Sequence, residues 1–114
     1  MLTIAALREF GANVDEGLGR CLNNEEFYLK LVNIALENTG ELEKLADAAG
    51  RGDLDAAFEA AHALKGVLGN LSLEPTYSRV VELTELLRKK QPADYRRYVE
   101  EIKLDYAKLQ ALRS

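Results

Sequence analysis

Apolar residues recur along the whole chain at spacings of three and four, with polar residues between them, which is the period of helices with one buried face. Thr3 is placed to cap a short helix of residues 3–10, and Gly11 to end it. Asn13 followed by Glu16 reads as a capping box that opens a second short helix, 13–21, weakened by Gly17 and Gly19. Asn23 or Asn24 then starts a long segment whose apolar positions are Phe27, Leu31, Ile34, Ala35, Leu42, Leu45, Ala46 and Ala49. The spacing persists across Gly40 and predicts one helix over 24–49; a break at Gly40 is the alternative, since Gly costs a helix ~1 kcal/mol.

Gly50-Arg51-Gly52 reads as a turn and Asp53 as the N-cap of a helix over 53–72. Leu54, Ala57, Phe58, Ala61, Leu64, Leu68 and Leu71 form its stripe. Pro75 fits the first turn of the next helix, 75–91, where its missing N–H is harmless. Tyr77, Val80, Val81, Thr84 and Leu87 form that helix's inner face. Pro92 marks the start of the last, 93–112, with Tyr95, Val99, Ile102, Tyr106 and Leu109 inward. Four long helices joined by short loops predict an all-α fold: an antiparallel up-down four-helix bundle with the two short N-terminal helices capping one end.

Composition narrows the function. The 114 residues suit a single domain, 1–114, and the net charge of −4 argues against nucleic acid, whose binders carry a basic stripe. The densest basic run, Arg88-Lys89-Lys90, sits near a helix C-terminus, where the macrodipole accounts for it. The single cysteine, Cys21, excludes an intrachain disulfide and reads as a small core residue. No apolar run reaches the ~20 residues needed to span a bilayer, and no signal peptide is visible, so the expectation is a soluble cytoplasmic protein. Zinc and a carboxylate-bridged di-metal site both fail on inventory: Glu59-x-x-His62 occurs once, and the chain holds one histidine.

That histidine is the one residue with a chemical case. On a helical wheel His62 falls about 120° from the centre of the apolar stripe, so its ring points to solvent. Lys65, Gly66 and, one turn on, Gly69 share its face. Two glycines inside a helix cost about 1 kcal/mol each, and Gly marks places where another group approaches the backbone. A neutral imidazole is a nucleophile near pH 7, and a lysine holds phosphate oxygens as a point charge. An exposed histidine, bare backbone and an ammonium group suit a phosphoryl group; an incidental surface histidine is the plain alternative. Asp55 and Glu59 share the exposed side and read as a solvated face.

The stretch Ala61-His62-Ala63-Leu64-Lys65-Gly66-Val67-Leu68-Gly69-Asn70-Leu71, with its His-x-Leu-Lys-Gly core, resembles the signature of histidine-containing phosphotransfer (HPt) domains. Phe10-Gly11, Asn13, Gly17-Leu18 and Arg20 resemble that family's N-terminal segment, and Gly52-Asp53 also fits. The resemblance implies a four-helix bundle in which His62 accepts a phosphoryl group from a receiver-domain aspartate and passes it to another. Lys65 then supports the phosphate, and Gly66, Gly69 and Asn70 give the partner access. Ser72, where the family often has Gly, departs from the pattern and leaves the helix ending open. The chain has no Gly-x-x-x-x-Gly-Lys-Ser/Thr loop and no kinase glycine loop. The expectation is therefore a phosphoryl carrier and not an enzyme, without a cofactor of its own, Mg²⁺ being expected on the receiver. Its partners are response-regulator receivers and/or a hybrid sensor histidine kinase. A monomer suffices, and Met1 with compact ends suits a free-standing protein, a relay module of a larger hybrid sensor kinase being the alternative. The rival is a non-catalytic helical-bundle adaptor.

Overall fold

The computed structural model describes residues 1–113; Ser114, the last residue of the expected domain, lies outside them. Among the described residues there are seven helices and no strand: α1 (Ile4–Phe10), α2 (Val14–Arg20), α3 (Glu25–Glu37), α4 (Gly40–Arg51), α5 (Leu54–Asn70), α6 (Glu74–Arg88) and α7 (Tyr95–Ala111). Their starts follow the local chemistry of orphan N–H groups. The side chains of Thr3, Asn13, Asn24, Asp53 and Asp94 accept from the backbone N–H of Ala6, Glu16, Phe27, Ala56 and Arg97, respectively. Asn13 also donates through Nδ2 to Glu16 Oε2 at 3.2 Å, but its backbone N–H goes to the Ser72 carbonyl at 2.9 Å, so only the Asn13 half of the expected capping box forms.

The single helix expected over 24–49 is two. Asn38 leaves helical geometry at φ −93°, ψ 89°, and its Oδ1 accepts from Gly40 N at 3.4 Å. The Asn side chain thus offers the backbone a turn in place of the helix, and Gly40 starts α4 instead of breaking a helix. The interruption also rephases the buried face. Tyr28, Val32 and Leu36 are the buried residues of α3, whereas Phe27 and Ile34, expected inside, are 45% and 49% exposed. In α4 the expected Leu42 and Leu45 are buried, joined by Ala48.

Helix α5 is the spine of the molecule. It packs on α4 and on α6, and α7 touches both α4 and α6, so the four helices meet in a ring. The face that α5 turns inward is Ala57, Ala60, Ala61, Leu64 and Leu68. Three alanines in its first half let neighbouring backbones come close, and the leucines fill the second half, each contributing roughly 1.5–3 kcal/mol on burial. Between α6 and α7 the buried Asp105 carboxylate accepts from Arg79 Nε at 2.8 Å, and Arg79 also reaches Glu101 at 3.2 Å. A paired buried charge of this kind fixes the register of the two helices.

The N-terminal segment closes the end of the spine. Gly11 ends α1 at φ +115°, a conformation L side chains rarely adopt, and a Cβ there would lie 2.9 Å from Pro75 Cγ at the start of α6. Gly17 lets α2 settle on Tyr28 and on the end of α5: a Cβ would meet Tyr28 Cε1 at 2.6 Å and the Leu71 carbonyl at 3.0 Å. Gly19, two residues on and so on the opposite side of α2, has nothing within 4 Å. Gly17→Ala is therefore expected to destabilise the fold by ~1–3 kcal/mol through overpacking. Gly19→Ala should stabilise it by ~0.5–1 kcal/mol through helix propensity. Urea unfolding midpoints of the two variants check this; equal shifts would contradict the contact at Gly17.

Candidate phosphoryl-transfer site

His62 lies in the middle of α5, two turns from either end, and is exposed as expected from the wheel. The helix is regular through this stretch, so the residues around the ring follow from 3.6-residue spacing: Phe58 and Glu59 one turn before, Lys65 and Gly66 one turn after. Gly66 is exposed, and a Cβ built on it finds no heavy atom within 4 Å. The wall beside His62 is open, and the absence of a side chain at Gly66 answers to nothing inside the molecule.

Gly69 is a different case: it is half-buried and borders the same hollow as Lys65, Gly66 and Asn70, but the space of its missing side chain is used from within the molecule. A Cβ on Gly69 would fall 2.9 Å from Tyr77 Cε1, so this glycine admits the Tyr77 ring of α6. Its carbonyl also accepts from Arg20 Nη1. Gly69 thus serves internal packing. Asn70, the last residue of α5, is exposed. It borders two hollows: a polar one of about 270 Å³ shared with Lys65, Gly66 and Tyr77, and an apolar one of about 290 Å³ shared with Ile34, Leu64 and Val67.

Lys65 is half-buried and makes no ion pair among the described residues. Across on α6, Glu85 feels its charge weakly. Arg88, hydrogen-bonded to Glu85, holds that carboxyl below the usual range, with Lys89 and Lys65 adding to the effect. Of the two acidic residues on the histidine's side, Asp55 pairs with Lys90 at 3.3 Å, and Glu59 stays exposed. No group of three or more His, Cys, Asp or Glu side chains comes together among the described residues.

Two features of the site escaped the sequence. Phe58 stacks on His62, with ring centroids 5.8 Å apart and planes 19° from parallel. The signal was present, since an aromatic four residues before a helical histidine is on its flank, but Phe58 had been assigned to the core stripe. The second is the closure of α5. Ser72 adopts φ +54°, the left-handed turn that a glycine would take. Its buried hydroxyl donates to Glu16 Oε1 at 3.1 Å and accepts from Arg20 Nη1 at 3.2 Å. The carbonyls of Leu71 and Ser72 accept from Tyr28 Oη at 2.7 Å and Asn13 N at 2.9 Å.

With the geometry in place, a family model decides the class: the Hpt domain model matches residues 32–112. The chain belongs to the Hpt domain family. Hpt domains are phosphocarrier modules of two-component signalling, not catalysts in themselves, and they act with receiver domains and kinases. The match leaves α1, α2 and the first turns of α3 outside it. No curated protein and no solved structure matches the chain. In this Hpt chain no helix of the described residues is long and apolar enough to cross a membrane.

Burial raises the Tyr28 and Tyr106 phenols to about 12. An unfolded tyrosine ionises near 10, so above that pH the unfolded chain sheds protons that the folded chain keeps. Stability is therefore complete below pH 10 and falls as pH rises through 12. Tyr28→Phe, which loses the bond to Leu71 but has no phenol to ionise, should be less stable than wild type by about 1 kcal/mol at pH 8. It should then lose less between pH 10 and 12. Denaturant titrations at both ends of that window measure the difference, and parallel curves would refute the assignment.

Proposed function

We propose that this protein is a phosphorelay intermediate in which His62 accepts a phosphoryl group from a receiver aspartate and returns it to another. The observation that carries the reading is an exposed imidazole one turn from Gly66, beside which nothing stands within 4 Å. A second protein's active site needs that clearance to bring an aspartyl phosphate onto the ring. The transfer is balanced at both ends. A ring nitrogen attacks phosphorus, the P–N bond forms, the P–O bond to the aspartyl carboxylate breaks, and the carboxylate leaves with its electron pair. Onward transfer reverses the roles, and imidazole departs.

Division of labour follows from what each protein brings. His62 is a positioned nucleophile and then a leaving group. The partner receiver, whose carboxylates hold Mg²⁺, supplies the charge that stabilises the moving phosphoryl. Lys65, with no fixed partner of its own, attracts the phosphate oxygens as they arrive. On this reading residues 1–114 form one cytoplasmic domain. Helices α4–α7 make an antiparallel up-down bundle that acts as a monomer, and α1 and α2 close one end.

The test is transfer from an acetyl-phosphate-charged receiver domain, followed as label that is acid-labile and alkali-stable, as a P–N bond requires. Wild type should take up label and His62→Gln none. Label persisting in His62→Gln would remove the reading and leave the helical-bundle adaptor. Gly66→Leu should block transfer with helicity unchanged, since the new side chain meets open space in the fold and fills the approach; an unaltered transfer rate would contradict the clearance argument. Lys65→Ala should slow transfer by roughly 10-fold or less without abolishing it, since a single screened charge is worth about 1 kcal/mol. Complete loss of label would show that Lys65 does more than attract.

A further inference from the structure

We propose that Phe58 is a positioning residue for His62, holding the imidazole in one orientation for transfer; the proposal rests on His62 being the acceptor. Four observations support it. Phe58 is one helical turn before His62, on a regular stretch of α5. The two rings lie 5.8 Å apart and within 19° of parallel, as an offset stack requires. Phe58 is half-buried and packs against the hydrophobic core, so its own ring is anchored. His62 is exposed and has no hydrogen-bond partner among the described residues, so nothing else restrains its ring.

The geometry suits the chemistry. The lone pair that attacks phosphorus lies in the plane of the imidazole and points out from its edge. A partner stacked on the face leaves both ring nitrogens free at the edge. A hydrogen bond from a neighbouring carboxylate or carbonyl would orient the ring as well, but it would occupy a nitrogen. Stacking on an anchored phenyl thus restrains the nucleophile without engaging it. Without the stack, an exposed histidine on a helix has two accessible χ1 wells and about two ring orientations in each. Restricting it to one of about four states raises the fraction poised for attack by about fourfold.

The experiment compares three variants in transfer from a charged receiver. Phe58→Leu keeps an apolar side chain in the core but removes the flat ring; Phe58→Tyr keeps both; Phe58→Ala removes both. The maximal transfer rate constant should fall about fourfold in Phe58→Leu, with the half-saturating receiver concentration unchanged. Phe58→Tyr should restore it, and Phe58→Ala should be no faster than Phe58→Leu. Proton NMR supplies a readout independent of transfer. The His62 ring protons should be displaced by the phenyl ring current in wild type and Phe58→Tyr and return toward free-imidazole positions in Phe58→Leu. Wild-type kinetics in Phe58→Leu, or ring-proton signals that do not respond to the substitution, would overturn the proposal and reduce Phe58 to core packing. Label that persists in His62→Gln would sink the acceptor reading instead, while the ring-current shifts of wild type and their loss in Phe58→Leu would stand.

Discussion

The molecule depends on how α5 ends. A helix that carries two glycines in its second half gives up about 1 kcal/mol of propensity at each, and its end is closed by the turn that follows, where the backbone N–H groups of Leu71, Ser72 and Leu73 donate to the carbonyls of Val67, Gly69 and Leu68. Three donors from the N-terminal segment secure that turn. Arg20 binds the Gly69 carbonyl, Tyr28 the Leu71 carbonyl, and the Asn13 backbone the Ser72 carbonyl. The Ser72 hydroxyl ties the same corner to Glu16 and Arg20. These bonds anchor the turn that ends α5. The first 31 residues lie outside the family match and supply every one of these donors, and two of them, Glu16 and Arg20, border the same hollow as Lys65 and Gly66.

Glycine has two distinct uses in these helices. At Gly17 the missing side chain makes room for the Tyr28 ring and a carbonyl, and at Gly69 for the Tyr77 ring. Both are internal fits in a close-packed interior, where a single added carbon is felt. At Gly66 nothing in the molecule uses the space. Gly19 and Gly50 likewise face open space, so what singles out Gly66 is its place, one turn from the only histidine. The contrast between Gly66 and Gly69, which share a face, separates a site feature from a packing feature.

What the sequence made legible was local. Caps at Thr3, Asn13, Asn24, Asp53 and Asp94 could be read because an N-cap depends on the residue and the next turn alone. The exposure of His62 followed from one wheel. What was not legible depended on contacts from elsewhere in the chain. Asn38 had no weight in an apolar pattern that ran past it, yet its side chain sets the turn between α3 and α4. Once α3 stands apart from α4, its buried face is chosen by the N-terminal cover, which takes Tyr28 and leaves Phe27 outside. Ser72 looked like a defect in a glycine position; its hydroxyl gains two partners from α2, which offset a left-handed backbone. Phe58 matched the apolar period well enough to hide that its ring divides itself between the core and the histidine.

The charges around His62 bear on how a carrier works, given the proposed relay. Glu59 and Lys65 flank the ring three residues before and three after, one turn in each direction. Glu85 on α6 feels the Lys65 charge only weakly and is already engaged by Arg88. An arriving phosphoryl group brings about two negative charges to a solvated wall. There it meets Lys65 and Glu59 at helical spacing, and further off Asp55 already paired with Lys90, all screened over ~10 Å or less at ordinary salt. The net field is small in either direction. A cluster of arginines would hold the phosphoryl group and slow its departure; a wholly acidic wall would repel it. A near-neutral surround leaves the phosphohistidine close in energy whether the phosphoryl group is coming or going, and that balance lets one histidine serve as both acceptor and donor while the partner's aspartate sets the direction.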